Sequence, residues 1–463
     1  MLLRSILPVD LSPVAPRASS HHTSSPIFSS EQGNVQGDAC YKRSLYKNSS
    51  LLRLLPQYAL SPGVQLNTWY RLPLKLVTEM GLPLEPSVAD ICSLELQCQL
   101  VCRRKQQGWV AVEGVDIRAL TCDAWDMVSQ ESPWPGFDGS GYGGMDYRFT
   151  RCVADEFYLL IDACQPQSSS VRILSVTLGP FRLDTTSNNQ SSSLVTHAAV
   201  SDAETRQQIH RALRIPGHQT YFMLQENWCH TTTGKLWDSA LILASIFTQA
   251  MQKNPQLLAN RRIIDLSAGT GYIGLLMAHL QDHYCQSLGN EAPPEIILTD
   301  IAEGLDHIRR NHRLNEFSSM RPKIEPLHWG DTKAAKKIVK ERPVDIIIAS
   351  DLLYNACDFV PLIRTLRDLS TPGITVIYLG YKRRGFGSTE EQQFFKLCQP
   401  YFDIRRCSNI PPAQHVDWER AQGCLLPQAY EPNNEESCTP FLGRQQRSSV
   451  QIYRLALITN AKN

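Results

Sequence analysis

For its C-terminal half this sequence predicts an α/β fold, a mainly parallel sheet with helices on both faces. Three observations predict it. After about residue 215, apolar strand-like stretches alternate with stretches whose apolar residues recur at three- and four-residue spacing. One unit, IIDLSAGTGYIGLLMAHL at 263–280, runs from an apolar strand through a glycine turn into a helix, and its turn contains G-x-G-x-x-G. A second run, VDIIIAS at 344–350, is apolar enough to be buried on both faces, as central parallel strands are.

Taken in order, residues 1–65 are rich in Ser and Pro and show little periodicity. They cannot bury enough apolar area to offset the entropy of ordering, so a mostly disordered tail is expected. Residues 66–214 change to short alternating runs, Leu94–Cys102, Trp109–Val112 and Ser175–Leu178, separated by Gly, Pro and Ser, which predicts a β-rich accessory region. Cys98 and Cys102 fall on one side of the first run and are expected in its core. SPWPGFDGSGYGGMDYR (132–148) has the composition of a long loop, and TTSNNQSSS (185–193) that of a linker. In the remaining region, 215–463, strands are expected at Tyr221–Leu224, Arg262–Leu266, Glu295–Leu298, Val344–Ala349, Thr375–Leu379 and Val450–Ile458. Between them lie helices marked by Ile273, Leu276, Met277 and Leu280, and by Leu305 and Ile308.

Composition removes several functions from consideration. The 46 basic and 45 acidic residues leave a net charge of +1, so no global attraction to nucleic acid or an anionic membrane is expected. No window approaches the roughly 20 apolar residues needed to span a bilayer. The 14 cysteines form no C-x-x-C pair or ligand-spaced cluster, so reduced structural thiols and no metal are expected. A monomer in the cytoplasm or nucleus is the expectation; the arginines, serines and single acid of residues 1–26 make a mitochondrial transit peptide the alternative.

In an open α/β sheet a ligand sits beyond the carboxyl ends of the strands, so the turn after Leu266 is where a cofactor is expected. Gly269 and Gly271 let the backbone approach it, and the helix from Tyr272 offers free N–H groups. A dinucleotide pyrophosphate and S-adenosylmethionine both fit so far. Asp265 separates them: a carboxylate there repels a pyrophosphate but attracts, directly or through water, the ammonium of S-adenosylmethionine. Asp300, ending the next strand, suits the two ribose hydroxyls of either cofactor.

The stretch Asp265–Gly271 resembles motif I of the seven-β-strand class I methyltransferases. TTTGKLWDSALILA (231–244), LHWGD with Trp329, VDIIIASDLLY (344–354), YLGYKRRGFGSTEEQQFF (378–395) and VQIYRL then resemble, in order, segments of the family 16 protein lysine methyltransferases. The resemblance covers roughly 215–460. It implies a Rossmann-like seven-stranded sheet with its last strand antiparallel, S-adenosyl-L-methionine as methyl donor, and a lysine of a protein substrate as acceptor. It also implies that Trp237, Asp265, Gly269, Gly271, Asp300, Trp329 and Ser350 hold the cofactor, and that Asp351 and Tyr354 border the acceptor. Ser267 departs from the pattern, standing where the family has its first motif glycine, and is expected to crowd the turn.

Each residue also has a plainer reading. Trp329 could anchor a loop, Tyr354 could only pack its ring, and Trp237 begins a helical run with Leu241, Ala244 and Thr248 that suits a core. Lys382-Arg383-Arg384 reads as a solvated basic run or an attractor of acidic substrate. A small-molecule N-methyltransferase and a methyltransferase-like binding module without turnover are the alternatives to the lysine methyltransferase, with a dinucleotide oxidoreductase behind them.

Overall fold

The computed structural model describes residues 51–57, 60–84, 94–105, 107–118, 137, 139–164, 172–183, 195–196, 208–228, 233–284, 291–315, 321–384, 388–407 and 450–459. The expected linker at 185–193 and the tail before residue 51 lie outside them. The N-terminal region is two β-sheets. One joins β1 (Leu51–Pro56), β3 (Trp69–Thr78), β6 (Val115–Arg118), β7 (Tyr142–Phe149), β9 (Arg172–Leu174) and β11 (Val195–Thr196). The other joins β2 (Gly63–Val64), β4 (Glu95–Arg104), β5 (Gly108–Val112), β8 (Phe157–Cys164), β10 (Val176–Leu183), β12 (Gln208–Arg214) and β13 (Thr220–Asn227). In the second sheet the pairing β12-β13-β5-β4-β8-β10 returns to β12, Thr177 lying opposite His210, which closes these six strands on themselves and leaves β2 as an outer strand on β10.

Strand alternation builds the core between these sheets. In β3 every second residue, Tyr70, Leu72, Leu74 and Leu76, is buried, and these pack with Leu96, Leu100, Phe149 and Phe157. Cys98 is half-buried and Cys102 buried on β4, both as free thiols. Two expectations change here. Leu51–Pro56 is an ordered strand paired with β3, although it falls in the stretch expected to be disordered. The loop expected over 132–148 gives way at Tyr142 to β7, where Gly144 answers to close packing rather than turning: a Cβ there would stand 2.3 Å from the Leu72 carbonyl oxygen.

The C-terminal sheet has the order β16 (Lys323–Pro326), β15 (Glu295–Asp300), β14 (Arg262–Leu266), β17 (Ile346–Ser350), β18 (Val376–Lys382), β20 (Val450–Leu457), β19 (Phe402–Arg406). β16, β15, β14, β17 and β18 run parallel, and β20 is antiparallel to both its neighbours. Helices α1 (Asp238–Lys253), α2 (Tyr272–His283) and α3 (Leu305–Asn315) cover one face, packing on Ile263, Ile346 and Ile348. Helices α4 (Thr332–Lys340), α5 (Phe359–Leu369) and α6 (Ser388–Cys398) cover the other, packing on Ile264, Ile347 and Leu379. The continuous apolar runs of β14 and β17 thus serve two cores at once.

The sequence pattern did not reveal β16 or β19, which are short, partly exposed strands without an apolar period. The strand expected at Tyr221–Leu224 exists as part of β13, but it pairs antiparallel with β12 and β5 in the N-terminal sheet and takes no part in the parallel one. The two regions meet through α3, where the Asn315 and Asn311 side chains accept the backbone N–H of Met223 (2.8 Å) and Gln225 (2.7 Å). Among the described residues no helix is long and apolar enough to cross a membrane.

Candidate active site

Strand order reverses at β14, between β15 and β17, and a cavity of about 360 Å³ opens there at the strands' carboxyl ends. Asp265, Asp300 and Ser350, from three adjacent strand ends, line it together with Trp237, Gly269, Trp329, Asp351 and Tyr354. The sequence-predicted site residues therefore converge, with one exception. Gly271 does not face the cavity: it adopts φ +78° at the start of α2, and a Cβ there would meet Ile308 and Leu298, so it serves helix-on-strand packing.

The two acids are held by backbone N–H groups. Asp265, 2% exposed, accepts Gly274 N–H at 2.9 Å. Burial pushes its carboxyl up to about 7, against that hydrogen bond and with some help from the charge of Asp300. Asp300 accepts Gly269 N–H and Ile301 N–H, both at 2.8 Å, and burial raises its pKa despite them. Gly269 needs its missing side chain: at φ +58° a Cβ would lie 3.0 Å from the Thr233 carbonyl oxygen. The carboxylate of Asp300 thus ties the glycine turn to the neighbouring strand end, and the insertion before Glu295 does not displace it.

Ser267 takes the left-handed backbone that a glycine would adopt freely, at φ +54°. It does not simply crowd the turn. Its hydroxyl accepts the indole N–H of Trp329 at 2.8 Å, which fixes that ring on the cavity wall. Trp329 is tilted at 45° against Tyr354, centroids 5.9 Å apart, and Tyr354 stays 46% exposed at the cavity rim. Replacing Ser267 with alanine removes one hydrogen bond, worth about 0.5–1.5 kcal/mol, so cofactor affinity measured by calorimetry is expected to fall by roughly two- to tenfold with the fold intact.

Asp351 also stands in left-handed backbone, φ +54°. One carboxylate oxygen pairs with Arg384 Nη1 at 2.6 Å and the other accepts Ser239 N–H at 2.9 Å, the first turn of α1. Arg384 lies 4.9 Å over the Trp237 ring, so Trp237 is a cavity wall while Leu241, Ala244 and Thr248 behind it are core. Of the basic run at 382–384, Arg383 is part-exposed and pairs with Glu391, but its two neighbours are withdrawn from solvent. Lys382 is 1% exposed and pairs with Glu79 at 2.6 Å and with Asp238. Arg384 touches Asp351, Glu79 and Asp238, whose three carboxylates raise its pKa despite burial. Burial would raise Asp238, but Lys382 and Arg384 outweigh it and hold the carboxyl near 2, whereas burial and Asp238 push Glu79 up to about 7.

Glu79, Met80, Thr233 and Lys235 were missed from sequence. Met80, Thr233 and Lys235 line the cavity, and Glu79 stands directly behind it. Only Thr233 and Lys235 carried a signal, lying inside TTTGKLW. Burial lowers Lys235 to about 8, and its ammonium sits 4.8 Å over Trp228. The cavity also fits an adenosyl amino-acid cofactor in its polar donors: the Ser350 hydroxyl is buried on its wall with no hydrogen-bond partner, and such groups are rarely left unused. Among the described residues no group of three or more His, Cys, Asp or Glu side chains is placed to hold a metal.

Residues 217–400 match the family model described as lysine methyltransferase. The chain is 30% identical over 167 residues to EEF1A lysine methyltransferase 3 of Xenopus tropicalis, covering 36% of this chain and 64% of that protein. The mouse protein of the same name gives 30% over 166 residues, 36% and 62%. The chain thus spans somewhat less than two thirds of these relatives. A solved structure, a putative SAM-dependent methyltransferase from Streptococcus mutans, aligns at 12% identity and a TM-score of 0.33 over 56% of this chain and 58% of that one. On the match of its sequence, the segment 217–400 is similar to the lysine methyltransferase family.

Proposed function

We propose that this protein is an S-adenosylmethionine-dependent protein lysine N-methyltransferase, with the cofactor lying across Asp265, Gly269, Asp300, Trp329 and Ser350 and the acceptor entering beside Asp351 and Tyr354. The observation that carries the reading is the pair of buried carboxylates, Asp265 and Asp300, facing one cavity beside a glycine turn. The negative charge of Asp265 beside the glycine turn favours a cationic nucleoside over a pyrophosphate, while Asp300 suits the ribose of either. The exposed rim at Tyr354 supports a macromolecular acceptor over a small one, since a small-molecule pocket would be closed.

The cofactor supplies an already activated methyl group, so the protein's work is to position and deprotonate the acceptor. A lysine near its ordinary pKa of about 10.4 is almost wholly ammonium at pH 7 and has no lone pair to offer. Desolvation against Trp329, Tyr354 and Trp237 favours the neutral amine, and the free lone pairs of Asp351 orient its N–H bonds. The proposed protein works as a monomer in the cytoplasm or nucleus.

Calorimetric titration of the full chain with S-adenosylmethionine and with NAD tests the cofactor, and labelled methyl donor with fractionated cell extract tests the acceptor. Binding of NAD instead, or label in no protein band, would refute the reading. The same titration has a predicted pH dependence. In the free protein Asp265 protonates near 7, and its neutral form loses the attraction for the cofactor's ammonium. Affinity is therefore expected to be full above about pH 8 and to fall as pH drops through 7, by up to about tenfold per unit; an affinity flat between pH 8 and 6 would show that Asp265 does not meet the cation.

A further inference from the structure

We propose that Met80, on the turn that follows β3 in the N-terminal region, is a specificity-determining residue that walls the acceptor end of the cavity. It lies far outside the segment 217–400 that matches the family, and the proposal rests on the methyltransferase reading above.

The turn is rigid. Thr78 N–H bonds the Leu82 carbonyl at 2.9 Å, Gly81 N–H bonds the Thr78 carbonyl at 2.8 Å, and the Thr78 hydroxyl accepts Leu82 N–H at 3.1 Å. Its tip is anchored in the C-terminal region by Glu79, which is 1% exposed and reaches Lys382 at 2.6 Å and Arg384 at 3.5 Å. Arg384 in turn holds Asp351 at 2.6 Å. The anchor therefore lies at the Asp351 end of the cavity, where the acceptor enters, and away from Asp300 on β15. Met80 is the next residue, half-buried and in the cavity wall.

A thioether at that place has a definite chemistry. It is apolar, unbranched and polarizable, so it adapts to the four-carbon stem of a lysine and excludes water from the amine beyond it. A charged or strongly hydrated side chain there would keep the acceptor wet and protonated. The β-rich region is thereby a component of the site, and its sequence at this turn selects a long aliphatic amine.

The test compares two cofactor analogues on the full chain. S-adenosylhomocysteine has nothing where the transferred methyl stands, whereas sinefungin projects an ammonium from that place towards the acceptor end. Met80→Lys is expected to bind S-adenosylhomocysteine within about twofold of wild type but sinefungin at least about tenfold more weakly, through like-charge repulsion. Met80→Gln, similar in length and uncharged, is expected to keep the wild-type ratio. Equal weakening of both analogues by Met80→Lys, or an unchanged ratio, overturns the assignment of Met80 to the acceptor end. A wild-type chain that binds neither analogue overturns the cofactor reading itself, and Met80's role with it, and is told apart from the other outcomes before any variant is made.

Discussion

Replacement of Glu226 by alanine is expected to cost about 3–5 kcal/mol of stability, because it breaks a buried ion-pair junction. The side chain is fully buried and each oxygen is used twice. One accepts Arg53 Nη1 and Leu236 N–H, both at 2.8 Å; the other accepts Arg211 Nε at 2.8 Å and the Trp228 indole N–H at 3.3 Å. Arg53 and Arg211 are themselves 0% exposed, so removing the carboxylate strands two guanidiniums in a dry junction. Leu236, held by Glu226 and through its carbonyl by Arg53, belongs to the segment that presents Thr233, Lys235 and Trp237 to the cavity. The variant should therefore lose cofactor affinity as well as stability.

The measurement is the urea midpoint followed by fluorescence, with Glu226→Gln as the companion that keeps the shape and the Leu236 bond. A stability loss of less than about 1 kcal/mol for Glu226→Ala, from the midpoint shift and the slope, would mean the guanidiniums find water, and the junction is not sealed. Acid offers a second readout. Burial alone would raise Glu226, but Arg211 and Arg53 outweigh it and hold the carboxyl at about 2, below its ordinary 4.5. A depressed carboxyl contributes fully above 4.5 and loses its contribution as pH falls towards 2. Wild type should lose stability across that window more steeply than Glu226→Gln.

Asp351→Asn is expected to lower methyl transfer to the labelled protein band by about 100-fold or more while S-adenosylhomocysteine binds within about twofold of wild type. Asparagine suits the test because it tolerates the left-handed backbone at this position and can still accept Ser239 N–H. What it loses is charge: the 2.6 Å pair with Arg384, and with it the anionic oxygen that is proposed to orient an incoming amine. Loss of transfer with cofactor binding preserved assigns Asp351 to the acceptor. Full turnover would remove it from that role, and a parallel loss of cofactor affinity would assign it to holding Trp237 and α1 instead.

Both predictions concern residues with very different visibility in the sequence. Asp351 could be read because it follows Ile346–Ala349, an apolar run whose carboxyl end must open on the ligand side of a parallel sheet. Asp265 and Asp300 were legible for the same reason, each at or beside the end of a strand, whereas Ser350 came only from the family resemblance. Gly271 was misjudged because a glycine required by packing and one required by a ligand leave the same letter. Ser267 looked like a defect because its compensation is the indole of Trp329, 62 residues away. Lys382 and Arg384 looked solvated because their partner Glu79 is 303 residues from Lys382 in the chain.

The sequence by itself determined the strand–turn–helix unit, the parallel core and the acids at its strand ends, because those follow from local periodicity and backbone geometry. Only the tertiary structure decided which charges are buried against which, that β13 belongs to the N-terminal sheets, and that Glu79 and Met80 reach the cavity. The reason is physical: the fate of a charge depends on what surrounds it in space, and that surrounding is assembled from segments whose separation along the chain carries no signal.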